Sequence, residues 1–333
     1  MRTRKLGRTD LEVSALCLGT GTFGGVGPYK RSGEVTQTEA DCMVSMAMDN
    51  GINFFDTADS YSEGVAESML GNALAGKRSS AVIVTKLAPR AEGYTKKHVI
   101  EGCEASLKRL KTDYIDIYEF HIFDKESDIY EGLEALDSLV SSGKIRYSGC
   151  SNYSGWQLMK SAWISEVNGL AKFATVEAKY SLLLRELENE LIPACLDQGI
   201  GILAFSPMYA GFLTGKYSRN KPWPTGTRFP SATEMARYPV KLDRLYDIVD
   251  VLEKIAAAHG RPVSHVSLNY LLHKPAVCSL ITAARNVEQL AANLDATDWD
   301  LSEEEIAELD RVSEPDPLYP YSQQNGASLA FGR

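Results

Sequence analysis

Four side chains capable of acid–base chemistry fall where short apolar runs stop. Asp56 closes "INFFD" (52–56) and Tyr61 follows it in "DTADSYSEG"; Lys86 closes "AVIVTK" (81–86) and His121 closes "IDIYEFH" (115–121). Each alone has an ordinary structural explanation: a helix cap, a packing ring, a strand end. Gathered at one place, they form a proton-transfer site. A lysine ammonium about 4 Å from a phenol is worth roughly 4 kcal/mol at an effective dielectric of about 20, which favours phenolate. Burial opposes that shift, and Asp56, orienting Lys86, would partly neutralise it. The expectation is a modest net lowering of the Tyr61 pKa. Such a phenol gives a proton to a carbonyl oxygen or takes one from an alcohol, with His121 hydrogen-bonding the same oxygen. No acyl nucleophile with its base is apparent. The five histidines lack metal-ligand spacing, so no metal site is expected.

The elements that would carry these groups alternate. A hairpin is expected from strands 3–6 and 11–14. Strands follow at 16–19, 52–56, 81–86, 115–121, 147–152, 173–179, 201–207 and 279–284. Helical patterns lie between or after them at 38–50, 66–75, 95–110, 128–142, 155–166, 187–198, 243–259, 262–273 and 286–296. The strands are short, almost continuously apolar and rich in β-branched residues, as strands buried on both faces are. About eight βα units imply a parallel sheet, doubly wound or closed. Ser151, Asn152, Glu177, Ser206 and Thr282 also stand at strand ends. A closed (β/α)8 TIM barrel brings all such ends into one ring, whereas an open sheet leaves most of them far from its crevice. The N-terminal hairpin (1–14) would plug the barrel's bottom. Strand ends recur every 26 to 37 residues up to Ser206, but Thr282 comes about 76 residues later. The excess includes a loop, 216–240, rich in Pro, Gly and aromatics, which reads as a lid. The remainder, 314–333, reads as a tail, and the whole chain, 1–333, as a single domain.

"CLGTGTFGGVGPYK" (17–30) spells G-x-G-x-x-G through Gly19, Gly21 and Gly24. A dinucleotide fingerprint needs a helix to start there. Gly25, Gly27 and Pro28 oppose one, so a loop is expected instead. The 333 residues carry a net charge of −9, with 44% hydrophobic and 24% charged residues. With no block of like charge, neither nucleic acid nor a membrane surface is an expected partner. Six scattered cysteines without C-x-x-C suggest reduced core residues in a cytoplasmic protein. The N-terminus has no apolar signal core, and no apolar run reaches the roughly 20 residues of a membrane span.

Long stretches of the chain resemble the aldo-keto reductase family: "DTADSYSEGVAESMLGNAL" (56–74), "SLKRLKTDYIDIYEFH" (106–121), "GKIRYSGCSNYS" (143–154), "FSPMYAGFLTGKY" (205–217) and "AARNVEQLAANL" (283–294). The resemblance implies a TIM barrel with NADPH across its C-terminal mouth (NADH being possible) and a tetrad of Asp56, Tyr61, Lys86 and His121, Tyr61 being the acid. It implies that Gly19 and Thr20 lie beside the nicotinamide ribose, with Asp56 also near the cofactor. Ser151, Asn152 and Glu177 would meet the carboxamide, and Phe205 would stack on the nicotinamide. Ser206, Pro207, Met208, Gly211, Leu213 and Lys216 would wrap the pyrophosphate. Arg285 would face a 2′-phosphate, and Gln289 and Asn293 the adenine. Three positions depart from the family: Glu177 replaces a usual Gln, Ala283 a frequent Gly and Ala292 a frequent acidic residue. An ionised Glu177 can accept from the carboxamide NH2 but cannot donate to its oxygen. Substrate walls are sought among Phe23, Tyr29, Phe123, Trp223 and Phe229, with Tyr319 and Tyr321 of the tail. The resulting function is NADPH-dependent interconversion of a carbonyl and an alcohol. Alternatives are an NAD(P)+-dependent dehydrogenase of a sugar or secondary alcohol, and a cofactor-binding regulatory subunit like channel-associated relatives. A small carbonyl or alcohol is the expected partner, to a monomer or homo-oligomer.

Overall fold

The computed structural model describes residues 1–219, 222–225, 227 and 240–324. Strands β1 (Thr3–Lys5) and β2 (Glu12–Ser14) pair as an antiparallel hairpin. Eight parallel strands follow: β3 (Leu16–Gly19), β4 (Phe54–Asp56), β5 (Val82–Leu87), β6 (Ile115–Phe120), β7 (Ile145–Ser151), β8 (Phe173–Lys179), β9 (Gly201–Phe205) and β10 (Val277–Thr282). They close into a barrel in chain order, β10 pairing with β3. Helices α1 (Gln37–Asp49), α2 (Val65–Ala73), α3 (Lys96–Leu110), α4 (Ile129–Ser141), α5 (Gly155–Asn168) and α6 (Leu191–Gln198) each follow one strand. Helices α7 (Leu242–His259) and α8 (Val263–Leu272) precede β10, and α9 (Val287–Leu294) and α10 (Glu303–Val312) follow it.

Strand alternation divides the core. Outward residues such as Leu18, Phe55, Ile83, Tyr118 and Phe120 are buried under the helices. Inward residues Cys17, Phe54, Val84, Ile117, Leu203 and Ile281 form an apolar floor, which Leu6, Leu11 and Val13 of the hairpin seal from below. Two residues further along β4, β5 and β6, the same face carries Asp56, Lys86 and Glu119. The period of two therefore stacks an ionic layer directly on a dry one.

Two expected boundaries move. The helix placed at 187–198 begins at Leu191, after a 3-10 turn at Glu186–Glu188. That start puts Pro193 in the first helical turn, where an N–H has no intrahelical acceptor to lose. The strand placed at 201–207 stops at Phe205, because Ser206 is left-handed (φ 54°) and Pro207 has no donor. Helix α10 was not anticipated, although "SEEE" carries its signature. Ser302 and Glu305 cap each other reciprocally at its start.

No Rossmann helix follows the glycines. Gly24, Gly25 and Gly27 all have positive φ (84°, 62° and 60°), and α1 begins only at Gln37. All six cysteines are free, five of them buried. Among the described residues, no helix is long and apolar enough to cross a membrane, and no group of His, Cys, Asp or Glu is arranged for a metal ion.

Candidate active site

Lys86, fully buried, is the hub of the ionic layer. Its Nζ donates to Asp56 Oδ1, to the Thr57 carbonyl (3.0 Å) and to the Tyr61 hydroxyl (3.5 Å). Glu177 Oε2 stands 2.9 Å from it, off the line of a hydrogen bond, and so pairs by charge alone. Burial opposes a charge on Lys86, but Asp56 and then Glu177 outweigh it and hold the ammonium well above its ordinary pKa.

Tyr61 opens a 3-10 turn in which Ser62 and Glu63 are both left-handed (φ 49° and 58°). Such backbone costs on the order of 1–2 kcal/mol per residue and persists where its surroundings impose it. Here the Ser62 hydroxyl donates to the Phe23 carbonyl (2.6 Å) and accepts from the Val26 N–H (3.3 Å). The turn swings the phenol over Lys86. Tyr29 lies against its ring at 5.0 Å between centroids, and the His121 ring lies 5.8 Å away, edge-on. His121 Nδ1 faces Ser60 Oγ at 3.3 Å. Burial, then the Lys86 charge, lowers its pKa to about 3. The imidazole is therefore neutral, and its remaining ring nitrogen can hydrogen-bond an oxygen without carrying charge.

The expected lowering of the Tyr61 pKa is not found. Burial, then the Asp56 charge, push it well above 10, and Lys86 only partly offsets them. With two carboxyls close against the ammonium, much of its field at the phenol is offset. Tyr61 is held as an acid.

A second cluster occupies the rim beyond β9 and β10. Tyr209, Ala210 and Gly211 all have positive φ, and a Cβ at Gly211 would lie 2.8 Å from Lys216 Nζ. Arg285 reaches across the mouth to the carbonyls of Ser32 (2.9 Å) and Arg31 (3.1 Å). Burial and the Arg285 charge lower the Lys216 pKa. Two mutually repelling cations with no carboxylate ion pair among the described residues form a place for an anion.

Residues 15–314 match the model of the aldo/keto reductase family. The chain belongs to that family. It is 33% identical to an uncharacterized oxidoreductase of Bacillus subtilis, YrpG, over 92% of this chain and 94% of the relative. It is 29% identical to norsolorinic acid reductase B of Aspergillus parasiticus, over 97% of this chain and 87% of that protein. Among solved structures, the holo form of an aldo-keto reductase from Bacillus halodurans superposes with a TM-score of 0.76 at 27% identity. That match covers 96% of this chain and 99% of the other.

This aldo-keto reductase brings most of the expected groups to its C-terminal mouth. Ser151 is buried, and its hydroxyl accepts from Asn152 Nδ2 (2.9 Å), which also donates to the His121 carbonyl (3.0 Å). Thr20 is fully buried, its N–H bonded to the Asp56 carbonyl (2.8 Å). Gln289 Oε1 accepts from the Arg285 N–H (3.0 Å), and Asn293 donates to the Gln289 carbonyl (3.2 Å).

Several proposed substrate walls fail. Phe23 has no exposed surface and belongs to the core between barrel and helices. Phe123 turns away toward α5, edge-on to Tyr153 and Trp156. Tyr319 is 83% exposed, and the Tyr321 hydroxyl is taken by Glu190 ahead of α6. Trp223 packs on Tyr217 at 5.1 Å. Phe229 lies outside the described residues. Tyr29 stands directly beside Tyr61.

The sequence reading missed Glu119. Its Oε1 accepts from Thr175 Oγ1 (2.7 Å), and its Oε2 is buried without a partner. The signal was present, since in "IDIYEFH" Glu119 shares parity with Ile117 and so points inward. Burial raises its pKa to about 8. Between the ordinary value of 4.5 and about 8, the folded chain holds a proton that the unfolded chain releases. Stability therefore falls as pH rises through that window and levels off above it. Glu119→Gln keeps an acceptor for Thr175 and removes the Glu119 share of the slope. Urea unfolding should find it about 3 kcal/mol more stable than the parent at pH 7 and equal to it near pH 4. A parent and variant with parallel pH dependence would contradict this.

Proposed function

We propose that this oxidoreductase reduces an aldehyde or ketone with NADPH, and that Tyr61 protonates the carbonyl oxygen. The observation carrying this reading is the Tyr61 hydroxyl 3.5 Å from a buried ammonium that is itself tied to Asp56. Lys86 steadies charge developing on the phenol as its proton leaves, and neutral His121 orients the oxygen. Tyr29 supplies an aromatic wall on the other side.

The residues fit a nicotinamide dinucleotide phosphate. Among the described residues, Thr20 Oγ1 is buried and unpartnered at the mouth, Glu177 Oε2 lacks a hydrogen bond, and Lys216 and Arg285 have no carboxylate ion pair. Ser151, Asn152 and Glu177 would hold the carboxamide end, Phe205 the ring face, and the segment from Ser206 to Lys216 the pyrophosphate. Arg285 would take the 2′-phosphate, and Gln289 and Asn293 the adenine. The cofactor supplies the hydride. The same groups run the reverse reaction, Tyr61 as phenolate taking a proton from an alcohol.

Arg285→Ala should weaken NADPH about tenfold, since a hydrogen bond to a charged group is worth roughly 1.5 kcal/mol or more. NADH affinity should stay within about twofold. Titration of intrinsic fluorescence with each nucleotide reads both, and equal losses for the two would remove Arg285 from the phosphate site. The reaction itself is tested by NADPH oxidation against a panel of aldehydes and ketones. The absence of turnover with every one of them would refute the assignment.

A further inference from the structure

Asp56 comes from β4, Lys86 from β5, Glu119 from β6 and Glu177 from β8, and each is at most 3% exposed. One ammonium thus pairs with two carboxyls, with Glu119 opposite it on the neighbouring strand, in a closed space. Lys86 Nζ has three hydrogens and four oxygens around it, and the Tyr61 hydroxyl is the most distant of these. The Asp56 and Glu177 carboxyls both close on the same ammonium, Asp56 Oδ1 bonded to Nζ and Glu177 Oε2 2.9 Å from it. Two buried carboxylates so placed cannot both ionise cheaply beside one cation. A proton shared between them leaves one negative charge for one positive.

We propose that Glu177 is a positioning residue for Lys86: with Asp56 it forms a carboxyl pair holding one proton, and the gain or loss of that proton sets how strongly Lys86 assists the Tyr61 phenol. This rests on the role given to Tyr61 above. With the proton in place, the ammonium's field reaches the phenol. When the pair loses its proton to solvent, two negative charges flank the ammonium and Tyr61 holds its own proton more tightly. A protonated Glu177 donates one hydrogen where the usual glutamine donates two, so the departure at this position adds titration to the ionic layer.

The other groups facing the pair are Cys17 from β3, Glu119 from β6 and Tyr61 from the turn after β4. Burial raises the Cys17 thiol far out of range, so Glu119 is the neighbour to control for. Burial also lifts both members of the pair, Glu177 strongly.

Two measurements decide the matter. In protein labelled with 13C at the glutamate carboxyl carbon, the Glu177 resonance is identified by its loss in Glu177→Gln. It should titrate clearly above the range of an ordinary glutamate. Asp56→Asn, which leaves Glu177 as the main counter-ion of Lys86, should bring it back toward that range. An ordinary midpoint in the parent protein overturns the shared proton, and this reading needs no turnover. The second measurement is kcat/KM for NADPH reduction of 4-nitrobenzaldehyde against pH. The parent should lose rate on the alkaline side at the midpoint of the pair. Glu177→Gln should abolish that limb, and Glu119→Gln should keep it. A limb unchanged in Glu177→Gln, or equally lost in Glu119→Gln, overturns the link to Tyr61 even if the pair itself titrates as stated.

Discussion

Tyr61→Phe is expected to lower kcat for carbonyl reduction about 10²- to 10⁴-fold, the usual contribution of a positioned general acid. The substitution removes one oxygen and keeps the ring that packs on Tyr29 at 5.0 Å and faces His121 at 5.8 Å. Lys86 keeps Asp56, Glu177 and the Thr57 carbonyl. Stability should therefore change little. NADPH affinity, read by fluorescence titration, should stay within about threefold. The loss belongs in kcat and kcat/KM together, because protonation matters only as charge develops on the oxygen. Steady-state NADPH oxidation with 4-nitrobenzaldehyde measures it. Turnover that survived intact in the variant would sink the assignment of Tyr61.

Lys86→Met should destabilise the fold by about 3–5 kcal/mol, the cost of removing one partner from a buried ion pair. The side chain has no exposed surface and comparable length, so volume is nearly conserved while the positive charge of the ionic layer is lost. Asp56, Glu177 and Glu119 then remain with each other. All three already have pKa values raised by burial, and without the cation they rise further. Each then holds a proton in the folded state across a wider window than in the unfolded state. The deficit should be small near pH 4, where ordinary carboxylates protonate anyway, and grow as pH rises through neutrality. Urea unfolding at pH 4.5 and pH 8 tests this. A deficit that does not grow with pH would show that Lys86 is not what compensates these carboxyls.

The two variants separate roles that one hub residue combines. Tyr61→Phe removes a proton without disturbing the charges, whereas Lys86→Met removes the charge that lets the layer exist. The positive φ of Ser62 and Glu63 belongs with the first role. The chain accepts strained backbone there to hang the phenol over an ammonium lying deeper in the barrel.

The order of elements was legible because short, continuously apolar runs and longer helical patterns alternate along most of this chain. Closure was legible because polar residues recur at strand ends. Asp56, Lys86 and His121 were found by that rule. Glu119, one position before the final residue of β6, lay outside it, though inward parity would have found it. Boundaries moved where a single residue overrode propensity, as Pro193 did at α6 and Ser206 at β9. The aromatic walls were the weakest reading. An aromatic in a loop can turn to solvent, to core or to pocket, and Phe23, Phe123 and Tyr319 each turned away from Tyr61.

Local patterns along the chain were enough for the barrel, the hairpin beneath it and the residue types that crown the strands. The electrostatics came instead from residues far apart in the chain. Strands up to 121 residues apart in the chain place Asp56 and Glu177 on one ammonium. Whether Tyr61 is made more or less acidic depends on that count of charges in a closed space. Charge balance at a buried point is a sum over neighbours in three dimensions, which no spacing along the chain encodes.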